Sequence, residues 1–179
     1  MVMRDDPSRI AELRRTGILD SSPQRAFDDL TRLLATALPV PIAMINILDE
    51  QRDWFKSRVG VESTQMPVAT SFCEAFFSFP ADVIVVEDTL LDERFADHPL
   101  VVGAPQVRFY AAARLVVRGH TLGTLCAYDL QPRRLAPEQI DHLRAMASAA
   151  VELLAGRSPD LLAQATESVN STIRRAQAR

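Results

Sequence analysis

"DERFADHPLVVGAPQVRFYAAARL", residues 92–115, is the stretch whose reading decides the fold. It starts as a charged loop, passes Pro99 and Pro105, and becomes a strand-like run holding three consecutive alanines. Side chains alternate across a strand, so Arg108, Tyr110, Ala112 and Arg114 share one side. Phe109, Ala111, Ala113, Leu115 and Val117 share the other, which is the better core face. The polar side has two readings. It floors a cavity, where a guanidinium pairs with a carboxylate or phosphate through two parallel hydrogen bonds. Alternatively, Arg108 ties down the preceding loop through Asp92, Glu93 or Asp97 and sees no ligand.

Working outward, the next strand is "TLGTLCAYDL", reached through a turn at Gly119 and His120, so the two strands form a hairpin. Upstream, "VIVVED" (83–88) reads as a strand, and "IAMINIL" with "DWFKSRVG" makes residues 42–60 another hairpin. Between them "FCEAFFSF" reads as a short helix capped by Thr70 or Ser71. Helices flank this block. One runs from a Ser8 cap through Arg15 to Gly17; a second has Ser22 as cap, Pro23 in the first turn and an apolar face at Phe27, Leu30, Leu34 and Leu38. After the strands, Pro137 opens a helix lined by Ile140, Leu143, Met146, Ala147, Ala150 and Leu154 that stops at Gly156. Ser158-Pro159 restarts a last helix with a narrow stripe at Leu162, Ala165, Val169 and Ile173. That stripe either extends a dimer bundle or packs back on its own domain. Helices segregated around an antiparallel sheet predict an α+β sandwich, with terminal helices on one face and the middle helix and long loop over the other.

Composition narrows the function. A chain of 179 residues is one domain with an appended helix, large enough to bury a core without disulfides or metals. With 47% hydrophobic and 24% charged residues it has the balance of a soluble globular protein. A net charge of -3 gives no basic footprint, which argues against nucleic acid as a partner. No apolar run approaches the roughly 20 residues that span a bilayer, and the first ten lack a signal-peptide core. Two cysteines without metal-ligand spacing point to reduced thiols and a cytoplasmic location.

The motifs "GILDSSPQRAFDDL", "VPIAMINILDEQRDWFKS", "TSFC", "VVEDTLLDERFADHPLVVGAPQVRFYAAARL" and "LGTLCAYDLQPRRL" together resemble a bacterial GAF sensor domain of the type attached to histidine kinases and diguanylate cyclases. The likeness covers about residues 9 to 156, giving a GAF domain over 1–157 and a C-terminal helical extension over 158–179. It departs from that subgroup at Ala112, where Gly is usual, and at Arg114, where Pro is usual. The resemblance implies a five- to six-stranded antiparallel sheet with a ligand cavity on one face and a helical bundle, often a dimer interface, on the other. No kinase or cyclase segment is expected after the last helix.

The residues that would meet a ligand in such a cavity are Arg108, Tyr110, Trp54, Phe72, Cys73 and Cys126. Trp54 lies on the side of Lys56 and Arg58, opposite Phe55, and either stacks on a ligand or serves as half-buried packing. Cys73, near a helix N-terminus, could have a lowered pKa, and with Cys126 close by the two could form a redox disulfide. Free cysteines more often act as small buried hydrophobes. GAF-type free methionine-R-sulfoxide reductases place reactive cysteines in the loop before the fourth strand, whereas here "LLDERFADHPLVVGAPQV" has none. The cysteine-histidine pigment attachment and the cyclic-nucleotide pattern of other GAF domains are also missing. His98, His120 and His142 have no paired metal spacing. The expectation is therefore a non-catalytic sensory module that binds an unidentified small ligand or responds to redox state. It would signal through a homodimer's terminal helices to a kinase or cyclase partner. Thiol reductase chemistry and a ligand-free dimerisation or docking module are the alternatives. No cofactor is specified.

Overall fold

The computed structural model describes residues 3–156 and 160–178. Helix α1 spans Pro7–Thr16, with the Asp6 carboxylate accepting from the N–H groups of Ser8 and Arg9. Asp6, rather than the expected Ser8, is thus the cap, and Pro7 occupies the first turn where its missing N–H costs nothing. Helix α2 spans Arg25–Ala37 and begins after Gln24, with no side-chain cap. Ser22 does not cap it, because Lys56 Nζ holds the Ser22 carbonyl and the Ser21 hydroxyl, each at 2.7 Å, fixing this stretch as a linker.

Six strands follow: β1 Ile42–Leu48, β2 Arg52–Val59, β3 Gln65–Pro67, β4 Val83–Val86, β5 Phe109–Val117 and β6 His120–Asp129. They form one sheet of order β3-β2-β1-β6-β5-β4, every neighbouring pair antiparallel. The β5–β6 hairpin turns on Arg118 and Gly119, both at positive φ (48° and 83°), as a two-residue turn matched to strand twist requires. Strand β3 has no alternation of its own to announce it; three residues ending in proline suit only a sheet edge. Two short helices, α3 Ala75–Ser78 and α4 Pro99–Val102, lie in the segments between strands. Helices α5 Pro137–Leu154 and α6 Asp160–Gln177 close the chain.

The alternation on β5 holds as expected. Phe109, Ala111, Ala113, Leu115 and Val117 join Ala43, Ile45, Ile47, Leu125 and Ala127 against Leu30 and Leu34 of α2 and Leu143 and Met146 of α5. On the opposite face, Tyr110, Ala112, Cys126, Tyr128, Met44 and Phe55 meet Phe72, Phe76, Phe95 and Val101 from the covering segment. Residues 68–79 and 88–107 make that cover, called the lid below. Both faces of the sheet are therefore buried, the back by helices and the front by short turns.

Helix α6 lies against α5 and α2 of its own chain. Ala165 and Val169 of its stripe are buried, Ile173 is half-buried, and the Thr172 hydroxyl sits 3.4 Å from His142 Nε2. Ser158-Pro159 and the side chain of Leu162 lie outside the described residues.

The strands approach closely at Gly123, on β6 between β1 and β5. A Cβ there would stand 2.3 Å from the Asn46 carbonyl oxygen, which is backbone and cannot step aside. Gly123→Ala should destabilise the fold by on the order of 2–3 kcal/mol. Urea unfolding with an unchanged m-value would show it; a loss below about 0.5 kcal/mol would mean that the strands separate freely.

Candidate functional site

The front interior is where chemistry-bearing side chains collect. Cys73 sits on the 3-10 turn Phe72–Glu74, one of three such turns in the lid, and Cys126 sits in the middle of β6. Both are free thiols with no solvent exposure, and their sulfurs are 3.5 Å apart. Thr124 Oγ1 lies between them, 3.0 Å from Cys73 Sγ and 2.9 Å from Cys126 Sγ. Asn46 Nδ2 donates to Cys73 Sγ at 3.4 Å, and the Tyr110 hydroxyl donates to it at 3.5 Å. One sulfur thus faces as many as four hydrogen-bond donors.

This crowding separates the two thiols electrostatically. Burial, the largest influence, and the charge of nearby Asp53 work to raise Cys73, yet hydrogen bonds from Cys126, Thr124 and Tyr110 outweigh them and leave the thiol below its ordinary value. Cys126 is pushed well above the ordinary thiol value by burial and by its hydrogen bond and charge interaction with Cys73. Burial likewise pushes the phenols of Tyr110 and Tyr128 well up, so both stay neutral donors.

Beside the thiols lies a buried carboxylate. Asp53 on β2 has no exposure and accepts from Asn46 Nδ2 at 2.8 Å, from the Ser71 hydroxyl, and from the Arg4 guanidinium. Arg4 also pairs with Glu74 and donates to the carbonyls of Asp49 (2.6 Å) and Arg52 (2.8 Å). Neighbouring Arg9, fully buried, donates to the carbonyls of Arg4, Leu48 and Thr121. Burial, reinforced by the charge of Arg4, lowers its pKa to about 10, which leaves it protonated at neutral pH. Asn46 Oδ1 and Arg9 Nη2 have no partner among the described residues. These groups sew the N-terminal arm, the lid and the sheet together.

Of the six residues expected at the cavity, four converge here: Tyr110, Phe72, Cys73 and Cys126. Trp54 does not. It faces the helical layer, 9% exposed, with Lys56 Nζ 5.9 Å from its ring and 5.3 Å from Phe27, so it is packing on the far side of the sheet. The shared side of Trp54 and Lys56, opposite Phe55, is as the alternation predicts; it is simply the other face. Arg108 does not either. Its fork is spent on Asp88, Nε to Oδ1 at 2.9 Å and Nη2 to Oδ2 at 2.6 Å, so it ties down the loop as one reading had it, through a carboxylate other than the three foreseen. Arg114 donates through Nη2 to the carbonyls of Phe76 and Phe79, both at 2.9 Å, closing the C-terminal end of α3.

The hollow expected between Tyr110 and the lid is filled by rings. Phe72 stands 5.2 Å from Tyr110, 5.6 Å from Tyr128 and 5.1 Å from Phe95, and its ring lies 4.0 Å from that of His98. An open cleft of about 750 Å³ lies on the outer side of the same ring, bordered by Ser71, Glu74, Phe79, Arg94 and His98. Phe72 is thus a wall between cleft and thiols. Arg4, Asn46, Asp53, Ser71 and Thr124 were not foreseen as site residues. Asp53 carried a signal, since a carboxylate on the Phe55 side of a strand has to find donors inside. Ser71 is, with Thr70, one of two candidate caps for the lid helix, and its hydroxyl goes to Asp53 instead.

With this geometry in view, the chain can be set beside known proteins. Residues 22–153 match the GAF domain family. A cyclic di-GMP phosphodiesterase of Pseudomonas aeruginosa is 39% identical over 130 residues, which is 72% of this chain and 22% of that protein. The fold resembles the GAF domain of an Acinetobacter phosphoenolpyruvate-protein phosphotransferase, with a TM-score of 0.62, 19% identity and coverage of 84% of this chain and 94% of that one. It also resembles the type II free methionine-R-sulfoxide reductase of Thermoplasma acidophilum, with a TM-score of 0.60, 10% identity and coverage of 80% and 94%. The blue-light-absorbing PixJ GAF domain of Thermosynechococcus elongatus aligns at 0.57, with 17% identity and coverage of 90% and 96%. At these identities the solved structures establish the fold. No helix among the described residues is long and apolar enough to cross a membrane, and none of those residues form a cluster suited to a metal ion.

Removing Asp53 strands the buried Arg4. Asp53→Ala is expected to cost about 3–5 kcal/mol in chemical denaturation. Joining it with Arg4→Met should recover part of that loss, because the charge goes with its partner; strict additivity of the two would mean that they are not coupled.

Proposed function

The chain belongs to the GAF family, and from that premise we propose that it is a non-catalytic sensory module whose input is read in the front interior and whose output leaves through its terminal helices. The observation that carries this reading is the asymmetry between the two cores. The back of the sheet is mainly apolar, and its buried polar groups Thr31, Lys56, Ser57 and His142 all find partners on the helices or the linker before α2. The front holds Asn46, Asp53, Ser71, Thr124 and two thiols, all buried. Buried polar groups cost free energy unless they are paired, so an interior that collects them, and leaves Asn46 Oδ1 without a partner among the described residues, is suited to recognition better than to stability alone.

A small polar ligand that displaces Phe72 would enter through the outer cleft and meet Tyr110, Cys73 and Cys126. By preferring the open lid it would shift the population of lid positions. Helices α2, α5 and α6 would carry that shift to a partner copy, consistent with a homodimer. The relative of P. aeruginosa is a cyclic di-GMP phosphodiesterase of which this chain spans 22%. That supports a role within a larger signalling protein, with a cyclic-dinucleotide enzyme or a histidine kinase as the output. Thiol reductase turnover fits less well, because Cys73 has no exposure and Phe72 stands between it and the cleft.

A thermal-shift screen over nucleotides, amino acids and haem tests the reading. A true ligand at 100 times its Kd adds about 2.7 kcal/mol of stability. The protein should run as a dimer in light scattering and should not turn over free methionine-R-sulfoxide. A flat screen with a dimer intact would favour the ligand-free docking module, and turnover lost on Cys73→Ser would make it an enzyme.

A further inference from the structure

We propose that Cys73 and Cys126 are a two-electron redox latch, in which a hydroperoxide oxidises the pair to a disulfide that bonds the lid to the central strand β6. The latch rests on the sensory reading for its consequence, though not for its chemistry.

Geometry comes first. The two residues are 53 apart in sequence, on separate layers, and their sulfurs already touch at 3.5 Å. A disulfide needs about 2.05 Å, so closure requires a movement of roughly 1.5 Å. Only one side can supply it. Cys126 lies on a strand paired on both edges, opposite Met44 of β1 and Ala112 of β5. Cys73 lies on a single 3-10 turn followed by the four-residue α3, with no ladder to hold it.

The roles of the two sulfurs follow from their neighbours. Asn46 Nδ2, the Tyr110 hydroxyl, the Thr124 hydroxyl and the Cys126 thiol all reach Cys73 Sγ, an arrangement that favours a thiolate. Cys126, held protonated by burial and by that charge, is the resolving thiol. In the first step the Cys73 thiolate attacks the outer oxygen of the hydroperoxide. The O–O bond breaks, and the departing alkoxide takes up the proton that Cys73 had released, leaving an alcohol and a sulfenic acid on Cys73. Cys126 then gives up its proton as its sulfur attacks the Cys73 sulfur, and the displaced hydroxide leaves as water. Two thiols are oxidised by two electrons, and one hydroperoxide is reduced to an alcohol and water.

Access and consequence share the same segment. Phe72 and Ala75 separate Cys73 from the outer cleft, so oxidation waits on opening of the lid. Once the disulfide forms, the charge that Asn46, Tyr110 and Thr124 were arranged around is gone. Ser71 and Glu74, on either side of Cys73, hold Asp53 and Arg4. A shift of the turn therefore pulls on Arg4, three residues ahead of α1.

The test is to treat the folded 179-residue chain with hydrogen peroxide, block remaining thiols in denaturant, and map the peptides by mass spectrometry. The expected product is one Cys73–Cys126 crosslinked peptide lacking two hydrogens, restored to two thiols by dithiothreitol. Cys126→Ser should stop at a Cys73 sulfenic acid that dimedone traps, whereas Cys73→Ser should leave Cys126 unmodified. The wild-type map needs neither variant to fold. Two free thiols surviving doses that oxidise the exposed Met3 would overturn the latch, as would equal oxidation rates in the two variants. Hydrogen exchange in α1 separates the two proposals. A crosslink that leaves α1 unchanged keeps the latch and removes its signalling consequence, while an absent crosslink beside a ligand hit removes the latch and keeps the sensory reading.

Discussion

The carboxylate of Asp53 is the group on which the front of this domain depends. A charge taken wholly out of water is tolerated only when its oxygens are met by donors, and here the donors come from three separate parts of the chain. Arg4 comes from the arm ahead of α1, Asn46 from β1, and Ser71 from the lid. Each donor satisfies the carboxylate and is itself placed by it. The lid and the N-terminal arm have little regular structure of their own to fix their positions, so a shared buried charge does what hydrogen-bond ladders do elsewhere in the fold.

The two faces of the sheet divide the work. Behind it, β-branched and alanine side chains meet two amphipathic helices in a packed layer that holds the strands in register. In front, aromatic rings stack over a polar floor, and the covering chain is made of turns and four-residue helices. Segments of that kind open at less cost than long helices, because few backbone bonds break when they lift. A rigid back and a more easily displaced front are what a domain needs if an event on one side is to be felt on the other without loss of the fold.

Cys73 and Cys126 illustrate how placement turns ordinary residues into chemistry. Each alone is a small buried hydrophobe. Brought into contact, with a threonine hydroxyl between them and an asparagine amide and a phenol directed at one sulfur, they become unequal partners. The inequality comes from the donors that collect at Cys73 on one side, and from the burial and the neighbouring Cys73 charge that keep the proton on Cys126 on the other.

Periodicity along the chain settled which elements form and which side of each strand faces the helices: the alternation from Phe109 to Val117, the stripe of α2, the glycine turn at 119 and the hairpin over 42–60 are all local patterns of 2.0 or 3.6 residues. It could not settle which face lies behind β2's tryptophan or where polar side chains find partners. Trp54 packs in the helical layer, Arg108 holds Asp88, and Ser71 serves Asp53, because each choice depends on residues that folding brings from roughly 20 to 30 positions away. The start of α2 is settled in the same way, since Lys56 holds the stretch before it, whereas the Asp6 cap of α1 is local. Local pattern fixes the direction in which a side chain points; only the assembled tertiary structure supplies what it points at, and a buried charge or thiol takes its character from that neighbour.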